Sequence, residues 1–67
     1  MTVWLVMRGD FHEGQEVDEI FKTHTSAEKH VYDIIDNTYD MWVNERIDYW
    51  VAPTRGAFIN IIEREVK

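Results

Sequence analysis

The chain has 67 residues, 45% of them hydrophobic and 13% aromatic, with thirteen acidic residues against seven basic ones and a formal charge of −6. It has no cysteine, which excludes disulfides and thiolate zinc sites, and the acid excess disfavours direct binding to nucleic-acid phosphates. One domain over residues 1–67 is expected, and a domain this small needs help from a disulfide, a metal or a partner subunit, of which the partner subunit remains.

The apolar run Met1–Met7 stops at Arg8-Gly9. It is too short for a membrane span or for the apolar core and flanks of a signal peptide. A soluble, cytoplasmic protein is expected, with no membrane partner. Thr2–Met7 is predicted as the first strand, with Val3, Leu5 and Met7 on one face and Trp4 and Val6 on the other. Turn residues over Arg8–Gln15 predict a hairpin connection. Glu16–Thr23 is predicted as the second strand, with a bulge near Glu19-Ile20 that turns both Ile20 and Phe21 inward.

The clearest local signal follows. Thr25 as N-cap with Glu28 three residues on forms a capping box. Ala27, Val31, Ile34, Ile35 and Thr38 then recur at helical spacing as one apolar stripe. Asn37 could cap the helix, since asparagine tolerates the left-handed conformation. Trp42, however, continues the stripe, and the longer helix to about Asn44 is the preferred reading. Ile47–Ala52 and Ala57–Val66 are predicted strands around a turn at Pro53–Gly56. The resulting pattern is ββαββ, a small α+β domain with one helix packed on one face of an antiparallel sheet. Strands one, three and four carry apolar groups on both faces. Some of Trp4, Val6, Tyr49, Trp50 and Phe58 are therefore expected on the open side, unless the loop Arg8–Gln15 or the 38–48 segment folds over it. The simplest use of such a patch is homodimerisation, with Trp4 and Trp50 at the interface.

No catalytic motif is expected to operate. Ser26 is the only serine and sits at the helix start, and the three glycines lie in turns, so nucleophile elbows and phosphate loops are missing. His12, His24 and His30 are candidate metal ligands with carboxylates, and His30 and Asp33 are three apart on the helix, but no HExxH pair is present. The pairs Glu13/Glu16 and Glu63/Glu65 read as solvated charges in a domain with little room for a pocket. The protein is expected to be non-enzymatic and to need no metal or cofactor.

The polar side of the helix holds Asp33, Asp36 and Asp40. Carboxylates three and four residues apart are roughly 5–6 Å from one another, a spacing that can imitate a phosphate backbone in a basic groove. Asp10, Glu13, Glu16, Asp18 and Glu19 extend the acidic surface along the hairpin and second strand. The expected partner is a basic protein surface, such as that of a host nucleic-acid-binding protein.

The segments Val3-Trp4-Leu5-Val6, Glu19-Ile20-Phe21, Thr25-x-x-Glu28 and Asn60–Val66 resemble small β-β-α-β domains of bacteria and their phages. The element order is similar to that of the small acidic phage inhibitor of bacterial RNA polymerase, although the tract Tyr39–Tyr49 is longer here. What the resemblance implies is a phage or mobile-element origin and an inhibitory, partner-binding role. It carries over no functional residue.

Overall fold

The computed structural model describes residues 1–67. Five strands and one helix follow one another as β1 (Thr2–Asp10), β2 (Gly14–Phe21), α1 (His24–Asp36), β3 (Val43–Arg46), β4 (Tyr49–Ala52) and β5 (Ala57–Glu65). All neighbours are antiparallel, in the order β2-β1-β5-β4-β3. The class is α+β with one helix on one face, as expected, but the sheet has five strands rather than four.

The helix begins earlier than its sequence pattern suggests. Thr23, not Thr25, is the N-cap: its Oγ1 accepts from the Ser26 amide at 3.1 Å and its hydroxyl donates to Ser26 Oγ at 2.8 Å. Serine thus takes the place three residues after the cap that Glu28 was expected to fill. The helix also ends at Asp36, with Asn37 as C-cap: its amide donates to the Asp33 and Ile34 carbonyls at 3.2 and 3.1 Å, and the Thr38 amide donates to the Ile35 carbonyl at 3.2 Å. The longer helix to Asn44 is not formed. Trp42 instead returns as a loop residue, donating from Nε1 to Thr38 Oγ1 at 2.8 Å and packing against the core from there. The freed segment supplies β3, which pairs with β4 through Val43–Val51 and Asn44–Trp50.

Cross-strand pairing decides which side chains share a face. Val6 lies opposite Ile61, and Trp50 opposite Ile59. These four join Ala27 and Val31 of α1 in the buried core. Trp4, Phe21, Ile34, Ile35 and Trp42 pack around it. Of the five residues from which some were expected on the open side, Tyr49 and Phe58 do face outward, whereas Trp4, Val6 and Trp50 are on the helix side, so the expected interface through Trp4 and Trp50 is not formed. The β2 bulge is opposite Val6/Met7, at Asp18, next to the expected position near Glu19-Ile20, but it does not turn both Ile20 and Phe21 inward. It leaves Phe21 beside Trp4 on the helix side but puts Ile20 outward with Leu5, 57% exposed.

Candidate interaction surface

Alternation along the strands gives the second face of the sheet its residues. From β1 come Val3, Leu5 and Met7, paired with Ile20 and Val17 of β2 on one side and with Ile62 and Asn60 of β5 on the other. From β4 come Tyr49 and Val51, paired with Asn60 and Phe58. No helix packs on this face. No acidic residue occupies an outward position on β1, β2, β4 or β5; the charges on this face are Arg64, paired with Val3, and Arg46 of β3, paired with Tyr49.

An aromatic row crosses one end. Phe11, in the hairpin turn, stacks on Phe58 at 6.0 Å and 14°, and Phe58 stacks on Tyr49 at 6.2 Å and 16°. The Arg46 guanidinium closes the row at 4.3 Å from the Tyr49 ring centroid, a cation–π contact. Phe11 is held there because its amide donates to the Gly56 carbonyl at 2.9 Å. The hairpin turn itself is tied by Asp10, whose Oδ1 accepts from the Glu13 and His12 amides at 2.6 and 2.9 Å. Those two bonds, the Glu13 one foremost, hold the Asp10 carboxyl below its usual pKa. Near the middle of the face sits Asn60, whose Oδ1 is buried without a hydrogen-bond partner. An unpaired buried acceptor costs about 1–3 kcal/mol, and local rules broken in this way cluster at functional positions.

The expected acidic strip is only partly assembled. Asp33 and Asp36 are exposed on α1 and free of ion pairs, but Asp40 lies beyond the helix and accepts from Arg55 at 2.9 Å. Asp18 is taken by His30 at 2.7 Å and Arg8 at 3.6 Å, so His30 meets Asp18 rather than Asp33. Glu13 and Glu16 remain exposed at the hairpin. Trp4 and Trp50 are absent from the outward face because their strand parity turns them to the helix.

A cluster the sequence did not single out joins His24 and Glu28 of α1 to Asp48 of the β3–β4 turn, with ligand atoms within 4.8 Å of one another. His24 Nε2 is already 2.7 Å from Asp48 Oδ1, so the arrangement reads as a clasp between helix and hairpin. Asp48 adopts φ of 60°, and its carbonyl accepts from the Ile61 amide at 2.9 Å. The hydrogen bond to Asp48 raises the His24 pKa above 6.5, aided by the charges of Asp48, Glu28 and Glu63 and opposed by desolvation. A raised folded-state pKa means that the protonated form stabilises the fold. The contribution is complete below the unfolded value and disappears as pH rises through the folded one. The urea midpoint of the native chain should therefore fall more between about pH 6 and pH 8 than that of His24→Gln. Parallel curves for the two would exclude the clasp.

A shallow cleft of ≈ 300 Å³ opens between Arg8, Asp10, Glu16, Trp42 and Arg55. Its arginines are spent on Asp18 and Asp40 and its Asp10 on the turn, which leaves no unpaired acid–base set aimed into it. No helix of the chain is long and apolar enough to cross a membrane. Comparison with protein-family models, with characterised proteins and with solved structures returns no match.

Proposed function

We propose that this chain is a non-enzymatic protein-binding module and that the outward sheet face is its docking surface. The observation that carries the reading is the separation of charge from apolar surface. Thirteen acids are present, yet Val3, Leu5, Met7, Phe58 and Ile62 form a field with none among them. An uncovered apolar field of that kind on a highly charged chain fits a protein partner. The aromatic row favours the same partner class. Phe58 has a stacked ring on either side and Tyr49 a ring and a guanidinium, so both rings already have neighbours along the row, whereas nucleobases need free faces to stack.

A second reading draws on Asp33 and Asp36, which are exposed and unpaired on the helix. It makes the chain a phage-type inhibitor that occupies a basic surface of a host nucleic-acid-handling protein. One experiment separates the two. Tagged wild-type chain, Leu5→Lys/Ile62→Lys and Asp33→Lys/Asp36→Lys are each used to capture proteins from host lysate and a co-expressed untagged copy of the chain. The sheet-face pair is expected to lose the captured partner while the helix pair retains it, and capture should survive added salt because apolar contact is not screened. The opposite pattern, with capture weakened by salt, overturns the sheet-face reading.

A further inference from the structure

We propose that His24, Glu28 and Asp48 form a binding site for one zinc-type divalent ion, which fastens the β3–β4 turn to the first turn of α1. The site lies on the helix side of the sheet and stands independently of the reading of the outward face.

The first argument is the donor set. His24 and Glu28 are one helical turn apart on α1, a spacing that puts both side chains on the same helix face. Asp48 reaches them from the β3–β4 turn, and the imidazole nitrogen and the two carboxylate oxygens lie within 4.8 Å of one another. Donors that share a zinc ion at about 2.0–2.2 Å stand roughly 3.3–3.6 Å apart. The His24–Asp48 contact of 2.7 Å therefore opens slightly and the wider separations close. All three side chains are only half-buried, so rotation about their own bonds suffices. The ion takes the place of the hydrogen between His24 and Asp48. One imidazole among carboxylates suits zinc or cobalt, whereas calcium and magnesium prefer oxygen donors alone.

The second argument is charge. Glu63 of β5 adds its field to those of Asp48 and Glu28 at His24. No lysine or arginine pairs with any of these three carboxylates. Glu28 is half-buried without an ion pair or a hydrogen-bond donor of its own. An imidazolium at His24 offsets one negative charge, and a divalent ion offsets two. The other histidine of the helix gives the contrast. His30 meets Asp18 at 2.7 Å and Glu19 at 3.6 Å, but there Arg8 already supplies a cation at 3.6 Å from Asp18.

The third argument is placement and need. The Asp48 backbone is fixed by the Ile61 amide, which donates to its carbonyl at 2.9 Å, and His24 and Glu28 stand on a helix capped by Thr23. Donors on fixed backbone lose little freedom on binding. The ion would link positions 24 residues apart in a chain with no cysteine and eight buried residues. A metal clip across such a loop is a usual staple of domains this small.

Isothermal titration of the metal-free chain with zinc chloride tests the proposal. One ion per chain is expected, with a urea midpoint that rises at saturating zinc. His24→Gln and Asp48→Asn should each raise the dissociation constant at least about 10-fold, the loss that even an outer-shell partner causes. Asparagine tolerates the left-handed backbone of position 48, so Asp48→Asn keeps the turn. Cobalt should give a visible absorption band that His24→Gln abolishes. His30→Gln should bind zinc as the native chain does, and calcium should shift no midpoint. Far-UV circular dichroism before titration checks each variant, and Glu28→Gln replaces any that is unfolded. Absence of stoichiometric zinc binding overturns the proposal. So does binding lost in His30→Gln but kept in His24→Gln, or calcium stabilising the chain as well as zinc.

Discussion

Trp50→Ala is expected to destabilise the fold by about 3–5 kcal/mol, the range for removing a large aromatic from a packed core. Trp50 is 4% exposed and sits among Val6, Ala27, Val31, Ile59 and Ile61. Tyr32 of the helix meets its ring edge-on at 5.9 Å, so the truncation removes a helix–sheet contact as well as volume. A chain of 67 residues has a total stability of only about 3–10 kcal/mol. A large part of the population should therefore be unfolded without denaturant, as read by urea titration followed by far-UV circular dichroism. Tyr49→Ala, one residue away on the opposite face, should cost distinctly less in the monomer. Equal losses from the two would contradict the assignment of Trp50 to the helix side.

Gly9→Ala should cost about 2–4 kcal/mol although it adds a single methyl group. A Cβ at Gly9 runs into the Gly14 carbonyl oxygen and comes within 2.7 Å of the Gln15 Cα and 2.8 Å of the Gly14 carbonyl carbon. These are backbone atoms of the paired strand and cannot rotate away. Relief requires the end of the β1–β2 hairpin to open, which releases the Asp10 turn and the Phe11 stack with it. Gly14→Ala provides the contrast. Gly14 has φ of 83° and nothing within 4 Å of an added Cβ, so its cost should be the left-handed penalty alone, about 1–2 kcal/mol. Amide exchange at Gln15 and Glu16 should rise in Gly9→Ala, and protection left intact there would show that the hairpin end can relax.

Much of this architecture was legible in the residue order. The stripe Ala27–Val31–Ile35 predicts a helix that holds a sheet because buried faces recur with the helical period, and Ala27 and Val31 are fully buried. The β-branched and aromatic runs predict β1, β2 and β5, since such side chains suit a pleated surface. That an apolar face would be left open was foreseeable too, because one helix covers one face and the strands are apolar on both, but the residues offered for it included Trp4, Val6 and Trp50, which face the helix.

The rest depended on contacts between residues far apart in the chain. Both faces of β1, β4 and β5 are apolar, so alternation alone could not say which one meets the helix; pairing across β1, β5 and β4 put Val6, Ile61, Ile59 and Trp50 there together. The helix end was ambiguous because Trp42 lies in helical register, and the core takes Trp42 as readily from a loop hydrogen-bonded through Thr38. The side-chain clasps His24–Asp48 and His30–Asp18 join residues 24 and 12 positions apart, beyond any local periodicity. Local periodicity thus determined the helix and the existence of β1, β2, β4 and β5, while β3, the assignment of faces and the spending of Asp18, Asp40 and Asp48 on internal partners were decided by tertiary pairing, the only level at which distant side chains compete for the same neighbours.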